Sequence, residues 1–295
     1  MIDIRHHIYS LAAIFLALAV GIVIGTSFAK SAPSDSAGRR TIQRYERVMR
    51  DLKTEIIQSA QESSQEQIAL KAYEDYCRAA MPLAIKDKLH WRSVAIVQTG
   101  DNDELTGSVK QALKMAGAEV TCTVDISSKF PFADDEAISR MLVNIGLGAS
   151  GDAADDRARL FRILAGIVAS GKHSNIAPML EKAGVAVFTG STGKPSKLIV
   201  LVGGASSESE SLAQSIDGQL LGTLETLGVR AVGCETTGAL VSYVPIWHKA
   251  GIATVDNADS AIGQTCLIYA LNGETASFGS KKSADRLIPR TMETE

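Results

Sequence analysis

No residue between Ile8 and Phe28 is charged, and this run of 21 constrains everything downstream of it. At 1.5 Å rise per residue, about 20 apolar residues cross a bilayer as one helix, so the run predicts a single membrane span. Within it, Ala13, Ala17, Gly21 and Gly25 recur every fourth residue and share one helix face. Small faces let two backbones approach closely in lipid, where packing drives association. The plainer reading is incidental glycine, which is common in membrane helices. A cleaved signal peptide fits less well. The apolar core exceeds the usual 7–15 residues, the basic region before it holds only Arg5 and the amino terminus, and Pro33 follows the small residues of any cleavage site. Residues 1–29 are therefore expected to stay as an anchor in the lipid bilayer.

Residues 30–40 are small and polar and read as a linker. Beyond it, Ile42, Tyr45, Met49, Leu52 and Ile56 fall at heptad a and d positions. Ser59, Ser63 and Glu66 continue the register with polar groups, and Leu70, Tyr73, Cys77 and Ala80 resume it. Residues 41–80 contain no Gly or Pro, so residues 41–82 predict a helix about 60 Å long that ends at Pro82. An apolar seam of that length calls for a partner. A parallel coiled coil with further copies of the chain is one reading, and a helix folded back on the following domain is the other.

From residue 90 the pattern changes to short apolar runs alternating with helical segments. Strands are expected at 93–97, 118–125, 185–189, 197–203, 229–234, 240–244 and 253–255. Helices are expected at 104–116, 134–144, 154–169, 175–183, 208–227 and 259–271. That alternation predicts an α/β domain over 90–278 with a doubly wound, mostly parallel sheet of Rossmann or flavodoxin type. Two halves look related: WRSVAIVQTGDNDE with its helix and AGAEVTCTVD parallels PSKLIVLVGGASSES with its helix and LGVRAVGCET. Residues 279–295 are charged and lack aromatic side chains, and read as a disordered tail.

Catalytic motifs are weak. The loops Thr99-Gly100-Asp101 and Gly203-Gly204-Ala205-Ser206 follow strands where doubly wound sheets place ligands. The second resembles a phosphate cradle, yet no G-x-G-x-x-G is present. Gly190–Lys194 (GSTGK) lacks P-loop spacing, and Pro195 stands where a magnesium-binding hydroxyl belongs. Asp101, Asp103 and Glu104, like Asp256 and Asp259, read as capping or solvated carboxylates. The expectation is a non-enzyme with no certain cofactor. A net charge of −3 gives no basis for nucleic-acid binding.

The chain's two ends carry a resemblance. Ile2-Asp3, Arg5, His7, Ser10-Leu11, Ala13, Phe15-Leu16-Ala17-Leu18-Ala19, Gly21-Ile22 and Gly25 resemble the start of the bacterial copper-transporter family of the mycobacterial MctB type. Val255–Gly279 resembles that family's VDN…G…L.ALxG…G closing motif more loosely, and the middle is similar in layout. The resemblance implies a single-pass cell-membrane protein of copper homeostasis or transport, with an anchor, a coiled coil and an α/β domain. The alternative is an oligomeric envelope scaffold or small-ligand-binding module without copper chemistry.

Copper raised in this way can be tested on the residues. Cu(I) prefers thiolate and thioether ligands, and Cys77 with Met81, at i and i+4, is the one adjacent soft pair. Core packing at a heptad a position explains Cys77 equally well. Cys122, Cys234 and Cys266 have no ligand neighbours in sequence. Orientation is contested. Lys30, Arg39, Arg40, Arg44 and Arg47 after the anchor favour a cytoplasmic domain by the positive-inside rule, whereas the resemblance implies an extracytoplasmic one.

Overall fold

The computed structural model describes residues 4–30, 35–208 and 212–292. Two compact units divide the chain at Leu70 and Lys71. The first holds α1 (Ile4–Lys30) and most of α2 (Asp35–Ile85). In α1, Tyr9–Ser27 has a mean hydropathy of 2.2 and none of it is buried, so by length and composition it is fit to cross a membrane. Ala13 and Ala17 are exposed, and a Cβ added at Gly21 or Gly25 would meet nothing within 4 Å. Along α2, Met49, Leu52 and Ile56 are 66%, 47% and 67% exposed. The side chains of Ile42 and Tyr45 lie outside the described residues.

α2 departs from its expected bounds at both ends. It begins inside the expected linker, whose residues 31–34 lie outside the described set. It also continues through Pro82 to Ile85. Proline there removes one helix hydrogen bond, but fully buried Ile85 and Leu89 anchor the chain beyond it. Tertiary burial outweighs the local breaker.

The second unit is a seven-stranded sheet in the order β3-β2-β1-β4-β5-β6-β7. The strands are β1 (Ser93–Gln98), β2 (Glu119–Ile126), β3 (Ala186–Gly190), β4 (Leu198–Val202), β5 (Arg230–Cys234), β6 (Ala253–Val255) and β7 (Ser277–Phe278). All pairings are parallel except β2 with β3. The apolar runs read as strands because successive side chains serve opposite faces. Ala95, Val97, Ile199 and Leu201 face one core, and Val94, Ile96, Leu198 and Val200 face the other.

The first core is covered by α4 (Asp135–Asn144), α5 (Ala153–Ala165), α6 (Ala177–Lys182), α7 (Gly218–Thr226) and α8 (Val244–Lys249). The second is covered by α3 (Asp103–Met115) and α9 (Ala261–Asn272), together with Met81 and Ile85 of α2. Side-chain caps start several helices where the sequence places them. Asn102, Asp134, Asp152 and Ser260 each accept a backbone N–H of the first turn.

Three other expectations change. Residues 240–244 form no strand: Val241 makes one isolated bridge to Ala205, and Val244 opens α8 with Pro245 in its first turn. The helix expected over 208–227 is a π-helical turn, Ala213–Asp217, followed by α7, and residues 209–211 lie outside the described set. Residues 279–292, expected to be disordered, are tied to the sheet. Phe278 bridges Arg286, Ser280 and Lys281 donate backbone N–H groups to Asp256, and Arg290–Met292 forms a short 3₁₀ turn. A polar stretch stays ordered when buried carboxylates receive its amides. The α/β unit thus runs from Lys71, wider at both ends than 90–278.

Candidate functional site

β1 and β4 lie side by side, and from them the chain winds outward in opposite directions. The carboxyl ends of such neighbours form the usual ligand crevice of an open α/β sheet. Here the two loops close that crevice on each other. Thr99 and Gly100 both donate backbone N–H groups to the Val202 carbonyl, at 2.8 and 3.0 Å, and Asp101 N–H donates to the Gly204 carbonyl. Ser206 N–H donates to Asp101 Oδ2 at 2.8 Å, and the Ser206 hydroxyl donates to the same oxygen. A Cβ on Gly100 would run into Gly203 and Gly204 backbone. A side-chain carboxylate therefore holds the donor that a phosphate cradle would offer.

Behind these loops lies a buried polar layer. Gly203 and Gly233 lack the Cβ that would collide with Trp247, so the indole lies against β4 and β5. Trp247 Nε1–H donates to Asp217 Oδ2 at 2.6 Å. Burial pushes the Asp217 carboxyl up to about 7, against the opposing pull of the Thr99 hydroxyl and the Trp247 indole. Tyr243 stands edge-on to Trp247; its hydroxyl accepts Leu212 N–H and donates to the Thr99 carbonyl.

Glu235, at the end of β5, is fully buried. It accepts Ser242 Oγ–H, Tyr243 N–H and Lys281 Nζ at 2.7–2.8 Å. Asp256, at the end of β6, accepts Ser280 and Lys281 N–H. The acids that sequence reading assigned to capping thus differ in role. Asp103 accepts Gln98 Nε2–H, Asp259 accepts Thr237 N–H and hydroxyl, and Asp256 holds the closing segment 279–292. This arrangement binds the chain to itself. Its charges are matched by internal donors rather than aimed at a vacant volume.

The soft-ligand pair behaves differently. Cys77 and Met81 line a groove of about 140 Å³, bounded also by α9 and the closing segment. Two further sulfur-bearing residues line it, Cys266 of α9 and Met292. Cys77 is partly exposed, Met292 half-buried, Met81 4% exposed and Cys266 fully buried. Cys266 Sγ–H donates to the Leu287 carbonyl at 3.3 Å, and burial pushes the thiol up to about 12. Cys122 and Cys234 lie elsewhere in the two cores, their thiols also raised by burial. Sequence reading missed Cys266 and Met292 because they stand far from Cys77 along the chain. A wide hollow of about 990 Å³ at the opposite, amino edge of β5 and β6 carries charges of both signs, Glu225, Arg230 and Lys249 among them.

A family model described as copper transport outer membrane protein, MctB, matches residues 1–289. Among curated relatives, the copper transporter MctB of Mycobacterium tuberculosis is 30% identical over 188 residues, covering 62% of this chain and 57% of the relative. Copper transporter MctB of Mycobacterium bovis matches to the same extent. That of Mycobacterium leprae is 30% identical over 152 residues, 51% of this chain and 45% of the relative. The chain thus spans less than two thirds of the length of these relatives. With the family match running from the apolar helix to the closing segment, this chain belongs to the MctB family.

Proposed function

We propose that this protein is a membrane-anchored component of copper transport that works as an oligomer and not as an enzyme. The observation that carries the reading is the continuous family match over residues 1–289, from the anchor through the sheet, to a family described as copper transport outer membrane protein. The uncovered 19-residue apolar stretch of α1 supports attachment to a membrane of the cell envelope. One helix encloses no pore, so passage of an ion needs several copies or a partner channel. The small-residue face of α1 and the exposed Met49, Leu52 and Ile56 of α2 support parallel self-association, with Ile42 and Tyr45 in the same register.

The α/β unit is a doubly wound sheet of two related halves, β1-α3-β2 and β4-α7-β5, and lies on the extracytoplasmic side of the membrane. Covering of the two halves by α3 and α7 on opposite faces supports that reading. The filled crevice between β1 and β4 supports a non-catalytic role. A second reading, an oligomeric envelope scaffold, is favoured by the exposed seam of α2, which needs no copper.

Deletion of the gene, scored for copper tolerance, separates the two readings. A changed tolerance restored by the intact chain supports transport; unchanged tolerance with altered envelope integrity supports the scaffold. A reporter fused after Glu295 tests orientation, and a signal from the cytoplasmic side would overturn the outward placement.

A further inference from the structure

We propose that the groove between the end of α2, α9 and the closing segment is a Cu(I) site, with Cys77 and Cys266 as thiolate ligands and Met81 and Met292 as thioether ligands. The proposal rests on the copper reading above and names the residues through which the metal is held. Its basis is convergence. The chain has four cysteines and seven methionines, and two of each line this one small groove. They come from three separate segments, so no local repeat accounts for the concentration. Cys77 and Met81 present neighbouring side chains at i and i+4 on α2, Cys266 faces them from α9, and Met292 arrives on the 3₁₀ turn.

Size and ligand chemistry narrow the occupant. About 140 Å³ lies well below the roughly 300–1,000 Å³ of organic-ligand pockets, and a bare cation needs little more than a water's share of about 30 Å³. Thiolate and thioether donors select soft Cu(I), whereas Zn²⁺ and Cu(II) draw on imidazole and carboxylate as well. Among the described residues no group of three or more His, Cys, Asp or Glu side chains is placed to hold a metal ion. A mixed set of two thiols and two thioethers meets the demands of Cu(I) without such a group. Exposure is graded. Partly exposed Cys77 and half-buried Met292 stand at the mouth, and buried Met81 and Cys266 stand deeper.

The binding step balances without any redox partner. Cu(I) enters as Cu(I), two S–H bonds break, two protons leave to solvent, and two Cu–S(thiolate) bonds form with one or two thioether contacts. The Cys266 thiol gives up its hydrogen bond to the Leu287 carbonyl in this step.

The test uses the full chain in detergent, loaded anaerobically with Cu(I) against a competing Cu(I) chelator. One Cu(I) per chain is expected, with an ultraviolet thiolate-to-copper absorption band and sulfur-only coordination in X-ray absorption. Cys77→Ser and Cys266→Ala should each weaken binding by at least about 100-fold, the upper end of what loss of an outer partner costs. Met81→Leu with Met292→Leu should weaken it by roughly tenfold, and Cys122→Ser should leave it unchanged. Because Cys266 is buried, near-UV circular dichroism must show each variant folded. The Cys77→Ser result stands alone if Cys266→Ala is not folded.

Absence of Cu(I) binding, or wild-type binding by Cys77→Ser, would overturn the site. Copper tolerance of the deletion strain separates the two levels. A strain rescued equally by wild type and by Cys77→Ser/Met81→Leu refutes the site and leaves the transport reading in place. Tight Cu(I) binding with unchanged tolerance on deletion supports the site and removes the transport reading.

Discussion

Replacing Asp217 by Asn should stabilise the protein far more at pH 8 than at pH 4.5. The Asp217 carboxyl is fully buried, and burial pushes it from 3.8 to about 7. The sign follows from which state keeps the proton. Below 3.8 both folded and unfolded chains hold it, and the carboxyl contributes no pH dependence. Between about 4 and 7 the unfolded chain releases the proton while the folded chain keeps it, so stability falls as pH rises. Above 7 the loss is complete. A rise of roughly 3 units at 1.36 kcal/mol each makes that loss about 4 kcal/mol.

Asparagine keeps the shape and still accepts from Trp247 Nε1–H, but it never ionises. The Asp217→Asn gain should therefore be about 1 kcal/mol at pH 4.5, where the unfolded carboxyl is already mostly ionised, and rise to about 2–4 kcal/mol at pH 8. Urea unfolding of the full chain in detergent measures this, followed by Trp247 emission. A Trp91→Phe background removes the second indole, which is 88% exposed. A stability difference between parent and variant that stays constant from pH 4.5 to 8 would refute the reasoning, because the carboxyl would then ionise alike in both states.

Lys281→Met leaves buried Glu235 without its cation and should cost about 3–5 kcal/mol, with Glu235→Gln in the same chain recovering much of it; unfolding curves that match the parent would show water reaching Glu235. Ile42→Asp, Met49→Asp and Ile56→Asp together should abolish cross-linked oligomers, and cross-linking at parental efficiency would remove the coiled-coil proposal. A chain starting at Lys71 should be soluble and folded, whereas one limited to 90–278 loses Met81, Ile85 and Leu89 from its core and should aggregate. Each such loss costs about 2–5 kcal/mol against a typical stability of 5–15, and size-exclusion profiles that coincide for the two chains would contradict it.

Much of the sheet is legible in the sequence because its strands are buried on both faces. Leu198–Val202 is apolar at all five positions, and every one is buried. Helix starts are legible too, since a capping side chain such as Asn102 or Ser260 acts within three residues of itself. Direction and partnership are set over longer distances. Val187 and Phe188 pair antiparallel with β2 although nothing local distinguishes them from a parallel strand. Residues 240–244 have strand composition, but Glu235 captures the Tyr243 N–H and Pro245 favours a helix start. The sulfur groove was half legible. Cys77 and Met81 share a helix face by spacing alone, whereas Cys266 and Met292 join them only through the docking of α9 and the closing segment.

The Glu235–Lys281 pair also sets an order of events during synthesis. The two residues are 46 positions apart. At about 5–20 residues per second, Glu235 waits some 2–9 s after its own synthesis before its cation is made. During that interval a carboxylate at the end of β5 has no countercharge, and sealing it from water would be costly. Sealing of the far half of the sheet is therefore disfavoured until the closing segment is made, long after the apolar helix of α1 has been synthesised. Under the membrane-anchored reading, α1 meets its bilayer before the last countercharge of the α/β unit exists.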